Sequence, residues 1–111
     1  MIGSLLIVVP TLNESAHIRA VIESLLTGAP SATRLVVADG GSTDGTQDIV
    51  LGLSLNDPRI LLLHNPARLQ GAGINLAVKT HGTTAALLLR ADAHATYPPD
   101  FIAKLIAEMQ R

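Results

Sequence analysis

Apolar residues in this chain fall into two kinds of cluster, and the two kinds alternate. Short continuous runs lie at residues 5–9, around Leu35-Val36-Val37, at 60–63 and at 85–89. Between them, apolar residues recur at helical spacing: Ile18, Val21, Ile22, Leu25 and Leu26; Ile49, Val50 and Leu53; Ile74, Ala77 and Val78; Phe101, Ile102, Leu105, Ile106 and Met109. Short apolar runs bounded by turn residues predict buried strands, and the 3–4 spacing predicts amphipathic helices. Strands that are apolar without interruption belong to a sheet covered on both faces. Their alternation with helices predicts parallel strands joined by right-handed crossovers. The expected fold class is therefore α/β, three-layer and Rossmann-like, with a mostly parallel sheet in a single domain over 1–111.

Punctuation sets the expected limits of each element. Pro10 is expected to close the first strand, because proline cannot donate to a ladder. Asn13 is expected to cap the helix after it, and Gly28 and Pro30 to end that helix. The second strand is expected at 34–38. Asp44 with Gln47 three residues on has the form of a capping box for the second helix. Asn56-Asp57-Pro58 reads as a turn before the third strand at 59–63. The third helix is expected over 71–81 with Gly82 as its stop. The fourth strand, at 85–89, is expected to be apolar on both faces, and the last helix follows Pro98-Pro99.

This layout gives the polar loops a meaning. In a parallel sheet every loop that follows a strand lies on one edge, where ligands bind. Four polar clusters fall there: Thr11-Asn13-Glu14, Asp39 to Asp44, His64 to Gln70, and Asp92-Ala93-His94. The loops after the helices, Thr27-Gly28-Ala29-Pro30-Ser31 and His81-Gly82-Thr83-Thr84, are plainer. Asp39 at a strand end can accept hydrogen bonds from a base or ribose. Arg68 can face a phosphate, and Gly71 and Gly73 open a helix whose N-terminus favours an anion. Asp92 and His94 can hold Mn2+ or Mg2+ against a diphosphate.

Composition narrows the choices. Hydrophobic residues make up 48% and charged residues 15%, so a buried core is expected. Tyr97 and Phe101 are the only aromatic residues, too few for a single-strand stacking platform. Net charge is −1 with the basic residues scattered, so no nucleic-acid partner is expected. The absence of cysteine excludes thiolate metal sites and disulfides. No apolar run approaches the ~20 residues of a membrane span, and no basic region precedes the first run, so a secretory signal is not expected. Gly71-Ala72-Gly73 lacks the third glycine of a dinucleotide fingerprint, and no Gly-Lys-Ser/Thr phosphate loop occurs.

Four segments together resemble the family 2 glycosyltransferases. They are Val8-Val9-Pro10-Thr11-Leu12-Asn13-Glu14; Val37-Ala38-Asp39-Gly40-Gly41-Ser42-Thr43-Asp44-Gly45-Thr46; Asn65-Pro66-Ala67-Arg68 with Gly71, Asn75 and Ala77; and Arg90-Ala91-Asp92-Ala93-His94. Asp-Ala-His followed by Tyr97-Pro98 is most similar to the bacterial exopolysaccharide branch. The resemblance implies a GT-A fold and inverting transfer of a sugar from a nucleotide sugar, commonly UDP-linked, to a polysaccharide or lipid-linked acceptor. It implies nucleotide-sugar contacts from Pro10, Thr11, Asn13, Glu14, Asp39, Arg68 and Asp92, and a metal, Mn2+ or Mg2+, at Asp92 and His94.

Two positions depart from the family pattern. Gly40 stands where many members carry a second Asp, and His94 replaces the second Asp of the metal motif. The catalytic carboxylate base and acceptor half follow later in the family, beyond Arg111, so 1–111 is expected to be the nucleotide-sugar-binding half. A cytoplasmic location, at the inner membrane face for a longer enzyme, is the corresponding expectation. The alternative is a non-catalytic nucleotide-binding or assembly module, with a homo-oligomer formed through an uncovered face. A nucleotidyltransferase ranks last, because the loop after the first strand is neither glycine-rich nor basic.

Overall fold

The computed structural model describes residues 4–66, 70–81 and 87–109. Four strands alternate with four helices: β1 (Leu5–Thr11), α1 (Ile18–Leu26), β2 (Thr33–Asp39), α2 (Thr46–Asn56), β3 (Ile60–His64), α3 (Gln70–His81), β4 (Leu87–Arg90) and α4 (Phe101–Met109). The strands form one sheet in the order β3-β2-β1-β4, and every pairing is parallel.

Two apolar clusters separate the three layers. Leu5, Ile7 and Val9 of β1 and Leu35 and Val37 of β2 pack with Ile18, Ile22 and Leu25 of α1, Val50 of α2 and Ile102 of α4. Leu6 and Val8 of β1 and Val36 and Ala38 of β2 pack with Ala77, Ile74 and Val78 of α3. Three helices therefore cover one face and α3 covers the other. The right-handed crossover rule accounts for this division. From β1 through β3 the chain steps along the sheet in one direction, with α1 and α2 on one side. The connection to β4 reverses direction, so its helix must cross the opposite face. The reversal point lies between β1 and β4.

Four expectations about local structure are corrected. Pro10 does not close β1, which continues through Pro10 and Thr11 paired to Ala38 and Asp39. The carbonyl of Thr11 accepts from Gly40 N on the β2 side, whereas that of Val8 accepts from Ala91 N on the β4 side. By alternation, Pro10 turns its missing donor toward β4, whose pairing ends at Arg90 opposite Val8. Proline thus ends one ladder and spares the other.

Asn13 does not cap α1. It adopts φ 55 in the loop, and α1 begins five residues later at Ile18. The capping box at Asp44 forms only in part: Asp44 Oδ1 accepts from Thr46 N (3.1 Å) at the start of α2, but from one residue before the cap position, and the Gln47 half is missing. Gly45, at φ 95, is the residue before α2, a backbone region glycine enters without a Cβ clash. Gln47 reaches Asp39 instead of turning back to residue 44.

β4 is covered unequally. Leu87 and Leu89 join the larger cluster, but Leu88 is 46% exposed. Leu88 pairs with Leu6 and so shares its face, where α3 lies over β1 and β2. On the last helix Ile102 is fully buried, while Met109 at its end is 52% exposed. The expected helix stop at Gly82 and the strand positions 85–86 lie outside the described residues.

Candidate functional site

The strand order places the loops after β1 and β4 next to each other. Between them, at the carboxyl edge of the sheet, lies a cleft of about 190 Å3 lined by Pro10, Thr11, Leu12, Glu14, Ala38, Asn65, Asp92, Ala93 and His94. This is the reversal point at which open α/β sheets take up ligands. Pro10, Thr11, Glu14, Asp92 and His94, all expected from the sequence, converge on it.

Asn13 and Asp39 occupy a different position, as the framework beside the cleft. The loops after β1 and β2 are laced together by backbone-to-side-chain hydrogen bonds. Asn13 N donates to Ser42 Oγ (2.8 Å), and Thr43 N donates to Asn13 Oδ1 (2.8 Å). Glu14 N donates to Thr46 Oγ1 (3.0 Å), and Ser15 N donates to Asp44 Oδ2 (3.0 Å). The left-handed turn at Asn13 lets its backbone and side chain meet the second loop together.

Asp39 is the hub of the second loop and is 1% exposed. Its Oδ1 accepts from Thr11 Oγ1 (2.9 Å) and Ser42 Oγ. Its Oδ2 accepts from Gly41 N (3.0 Å), Ser42 N (2.8 Å) and Gln47 Nε2 (2.7 Å). Five donors occupy a carboxylate with about four lone-pair sites. A base or ribose contact at Asp39 therefore requires one of these donors to be displaced. Burial pushes the Asp39 carboxyl upward, but the hydrogen bonds from Ser42, Gln47 and Thr11 outweigh it and hold the pKa below its ordinary value. Asp44 is also lowered, chiefly by the Thr46 hydroxyl, with the backbone N–H of Ser15 and Thr46 assisting.

The β4 side of the cleft is built from one short turn. Asp92 N donates to Tyr97 Oη (2.9 Å), and the Tyr97 ring packs on the larger core cluster and on Phe101, with centroids 5.0 Å apart. Tyr97 therefore ties the Asp92 turn to α4. The Asp92 carboxylate lies 3.8 Å from Arg90 Nη2 with both side chains about half exposed, so it stays open to a ligand. His94 Nδ1 meets Glu14 Oε1 at 3.1 Å, joining the two sides of the cleft.

The donor set fits a cation shared with a ligand. Asp92 offers carboxylate oxygens and His94 a ring nitrogen. Among the described residues no three His, Asp or Glu side chains assemble a closed metal site. Remaining positions would have to be filled by oxygens such as those of a diphosphate, as is usual for Mg2+- and Mn2+-dependent phosphate chemistry.

Arg68, expected near the base or phosphates, lies outside the described residues. Two further polar residues bear on the cleft, one lining it and one bracing the Asp92 turn, without being among the expected site residues. Asn65 is 3% exposed and lines the cleft from the end of β3. A Cβ on Gly73 would come within 2.8 Å of its Nδ2, so α3 carries glycine where it passes Asn65. Tyr97 is the other. A polar residue directly after an apolar strand is the available signal for Asn65; Tyr97 is tied to Asp92 only by the family resemblance of Asp-Ala-His followed by Tyr97-Pro98, not by the hydrophobic pattern.

Comparison with known proteins agrees with this geometry. The glycosyl transferase family 2 description matches residues 6–111. Succinoglycan biosynthesis protein ExoA of Rhizobium meliloti is 49% identical over 106 residues, 95% of this chain and 32% of that protein. Among solved structures, S. aureus TarS in complex with UDP superposes with a TM-score of 0.77 at 22% identity, over 96% of this chain and 32% of that one. Mannosyltransferase PcManGT from Pyrobaculum calidifontis, in complex with GDP-Man and Mn2+, gives 0.75 at 26% identity over 92% and 31%. Glucosyl-3-phosphoglycerate synthase from Mycobacterium tuberculosis, with Mn2+, UDP and glucosyl-3-phosphoglycerate, gives 0.71 at 22% identity over 96% and 39%. The chain thus spans about a third of the length of ExoA and of the TarS 1–349 chain. With a parallel 3-2-1-4 sheet, a cleft at its reversal point and a family match across nearly its whole length, the chain belongs to glycosyl transferase family 2.

Proposed function

We propose that this chain is the donor-binding part of an inverting, metal-dependent glycosyltransferase. It holds a nucleoside diphosphate sugar, UDP-linked, whose sugar passes to a polysaccharide or lipid-linked acceptor bound by residues beyond 1–111. The observation that carries the reading is the convergence of Asp92 and His94 with the Pro10–Thr11 end of β1 on one cleft. The 49% identity to a succinoglycan biosynthesis protein supports the acceptor class. The nucleotide and Mn2+ complexes of similar structures support the donor class and the metal.

In this reading each part of the site has a distinct task. A bound Mn2+ or Mg2+ would neutralise the charge that develops on the departing diphosphate. Asp92 and His94 hold that cation from the β4 side. Pro10 and Thr11 form the wall against the nucleoside, and Asn65 the floor. Asp39 and Asn13 keep the wall in place through the hydrogen bonds that lace the two loops. Such fixed geometry lowers the ordering needed when donor binds. The carboxylate base that activates the acceptor is assigned to residues beyond Arg111.

Calorimetric titration with UDP, with and without Mn2+ and with GDP for comparison, tests the reading. Binding that Mn2+ strengthens, that prefers UDP and that falls to its metal-free level in Asp92→Asn is expected. Metal-dependent UDP binding that survives both Asp39→Ala and Asp92→Ala would sink the site assignment.

A further inference from the structure

His94 and Glu14 are 80 residues apart in sequence, yet Nδ1 of the imidazole lies 3.1 Å from Oε1 of the carboxylate. The two side chains differ in environment: Glu14 is 19% exposed and His94 66%. Glu14 is fixed from behind, because its backbone N–H donates to Thr46 Oγ1 and its carbonyl accepts from His17 N and Ile18 N at the start of α1. The more exposed ring therefore rests on the carboxylate of a residue whose backbone is held on both sides.

The chemistry of the contact determines where the ring proton sits. An ionised carboxylate only accepts hydrogen bonds, so the Nδ1 contact requires the proton on Nδ1. Neutral imidazole has one ring proton, so Nε2 is left with its lone pair available. That is the arrangement a metal-ligating histidine needs, with one nitrogen held by a carboxylate and the other facing the cation.

We propose that Glu14 is a positioning residue that sets the Nδ1–H tautomer of His94 and so prepares Nε2 as a nitrogen ligand at the Asp92 site. The tautomer assignment stands on the contact alone; its use for metal binding rests on the donor-binding function proposed above. Glu14 then acts on the donor through His94, rather than by touching the nucleotide. A nitrogen ligand also changes which cation is held. Both Mg2+ and Mn2+ prefer oxygen ligands, but Mn2+, a first-row transition ion, accepts an imidazole nitrogen more readily than the harder Mg2+ does. The site should favour Mn2+ over Mg2+ more strongly than its His94→Asp variant does.

Two measurements on the protein test this separately. The first uses long-range 15N–1H NMR of the histidine rings, at a pH where imidazole is neutral, with His94→Gln to assign the His94 signals. Expected are an Nδ1–H pattern in the wild type, its shift toward Nε2–H in Glu14→Ala, and its retention in Glu14→Gln, whose amide oxygen still accepts. An Nε2–H ring in the wild type, or a tautomer indifferent to Glu14→Ala, overturns the proposal. This needs no ligand, so it stands even if the donor-binding reading fails.

The second measures Mn2+ affinity in the presence of UDP, and UDP affinity without metal. Glu14→Ala should weaken Mn2+ binding about 10- to 100-fold, the range for loss of an outer-shell partner, with metal-free UDP binding unchanged and Glu14→Gln largely restoring Mn2+. If Glu14→Ala instead weakens UDP binding equally with and without Mn2+, Glu14 contacts the nucleotide directly and the positioning role is refuted. If wild type binds UDP identically with and without metal, the metal-dependent function fails while the tautomer result still decides the role of Glu14.

Discussion

Removing the Asp39 carboxylate is expected to be the most damaging single polar substitution in this chain. Asp39→Ala strands five donors at once: the hydroxyls of Thr11 and Ser42, the N–H groups of Gly41 and Ser42, and the Gln47 amide. Hydrogen bonds to a charged group contribute about 1.5–3 kcal/mol each, but they do not sum here. Gly41, Ser42 and Gln47 are only partly buried, so water can reach those donors. The expected loss is therefore about 3–5 kcal/mol, the range for breaking a buried charged network.

Asp39→Asn should be milder, at about 1–2 kcal/mol. Its oxygen can occupy the Oδ2 side, where all three N–H donors converge. Its NH2 then faces two hydroxyls, which can rotate to accept. Urea unfolding, followed by circular dichroism, measures this ordering. With a slope of about 2 kcal/mol per molar, the Ala variant should lose roughly 2 M in midpoint and the Asn variant under about 1 M. An Ala variant within about 1 kcal/mol of wild type would refute the hub role. An Asn variant as unstable as Ala would refute the hydroxyl-reversal argument.

Other predictions follow from the same geometry. Asp39 and Asp44 have folded pKa values below the ordinary 3.8, so the folded state binds fewer protons than the unfolded chain as the pH falls through that region. Their stabilisation should be complete above about pH 5 and lost as the pH drops below the ordinary value toward the lowered ones. Unfolding midpoints from pH 6 to 2 should show this, with a shallower slope in Asp39→Asn; stability rising with acid would contradict it. Thr33 Oγ1 is buried with no hydrogen-bond partner among the described residues, so Thr33→Val should be neutral or stabilise by up to about 1 kcal/mol. A loss above that in chemical denaturation would mean the hydroxyl has a partner. Two glycines of α3 should respond with opposite sign. Gly71→Ala meets nothing within 4 Å among the described residues and should stabilise by up to about 1 kcal/mol through helix propensity. Gly73→Ala puts a Cβ 3.2 Å from Ala38 Cβ and 2.8 Å from Asn65 Nδ2, and should destabilise by about 1 kcal/mol net while weakening UDP binding. Equal melting shifts for the two variants would refute the close approach at Gly73.

The alternation of apolar runs and helical stripes was enough to establish the α/β class, the parallel sheet and the edge on which the polar loops lie. Those features depend on which side chains leave water within a window of five to twelve residues, and that information is local. Element limits were less legible, because each depended on a partner outside the window. Pro10 stays in β1 because its missing donor faces the side where β4 has ended. Asn13 leaves its capping place because the loop after β2 offers it Ser42 and Thr43. Gln47 turns to Asp39 for the same kind of reason.

The site divides along the same line. That Thr11, Glu14, Asp39, Asp92 and His94 gather at one edge was contained in the strand-then-loop order of the sequence. Which of them face the cleft and which brace its wall was decided only by the 3-2-1-4 sheet order. That order places β4 beside β1, and with it His94 against Glu14 and the Asp92 turn over the carboxyl end of β1. It also buries Asp39 among donors from two loops and leaves Leu88 exposed at the sheet's β4 edge. Hydrophobic periodicity records how each segment meets solvent, whereas hydrogen-bond partners 28 or 80 residues apart arise only after the segments have packed.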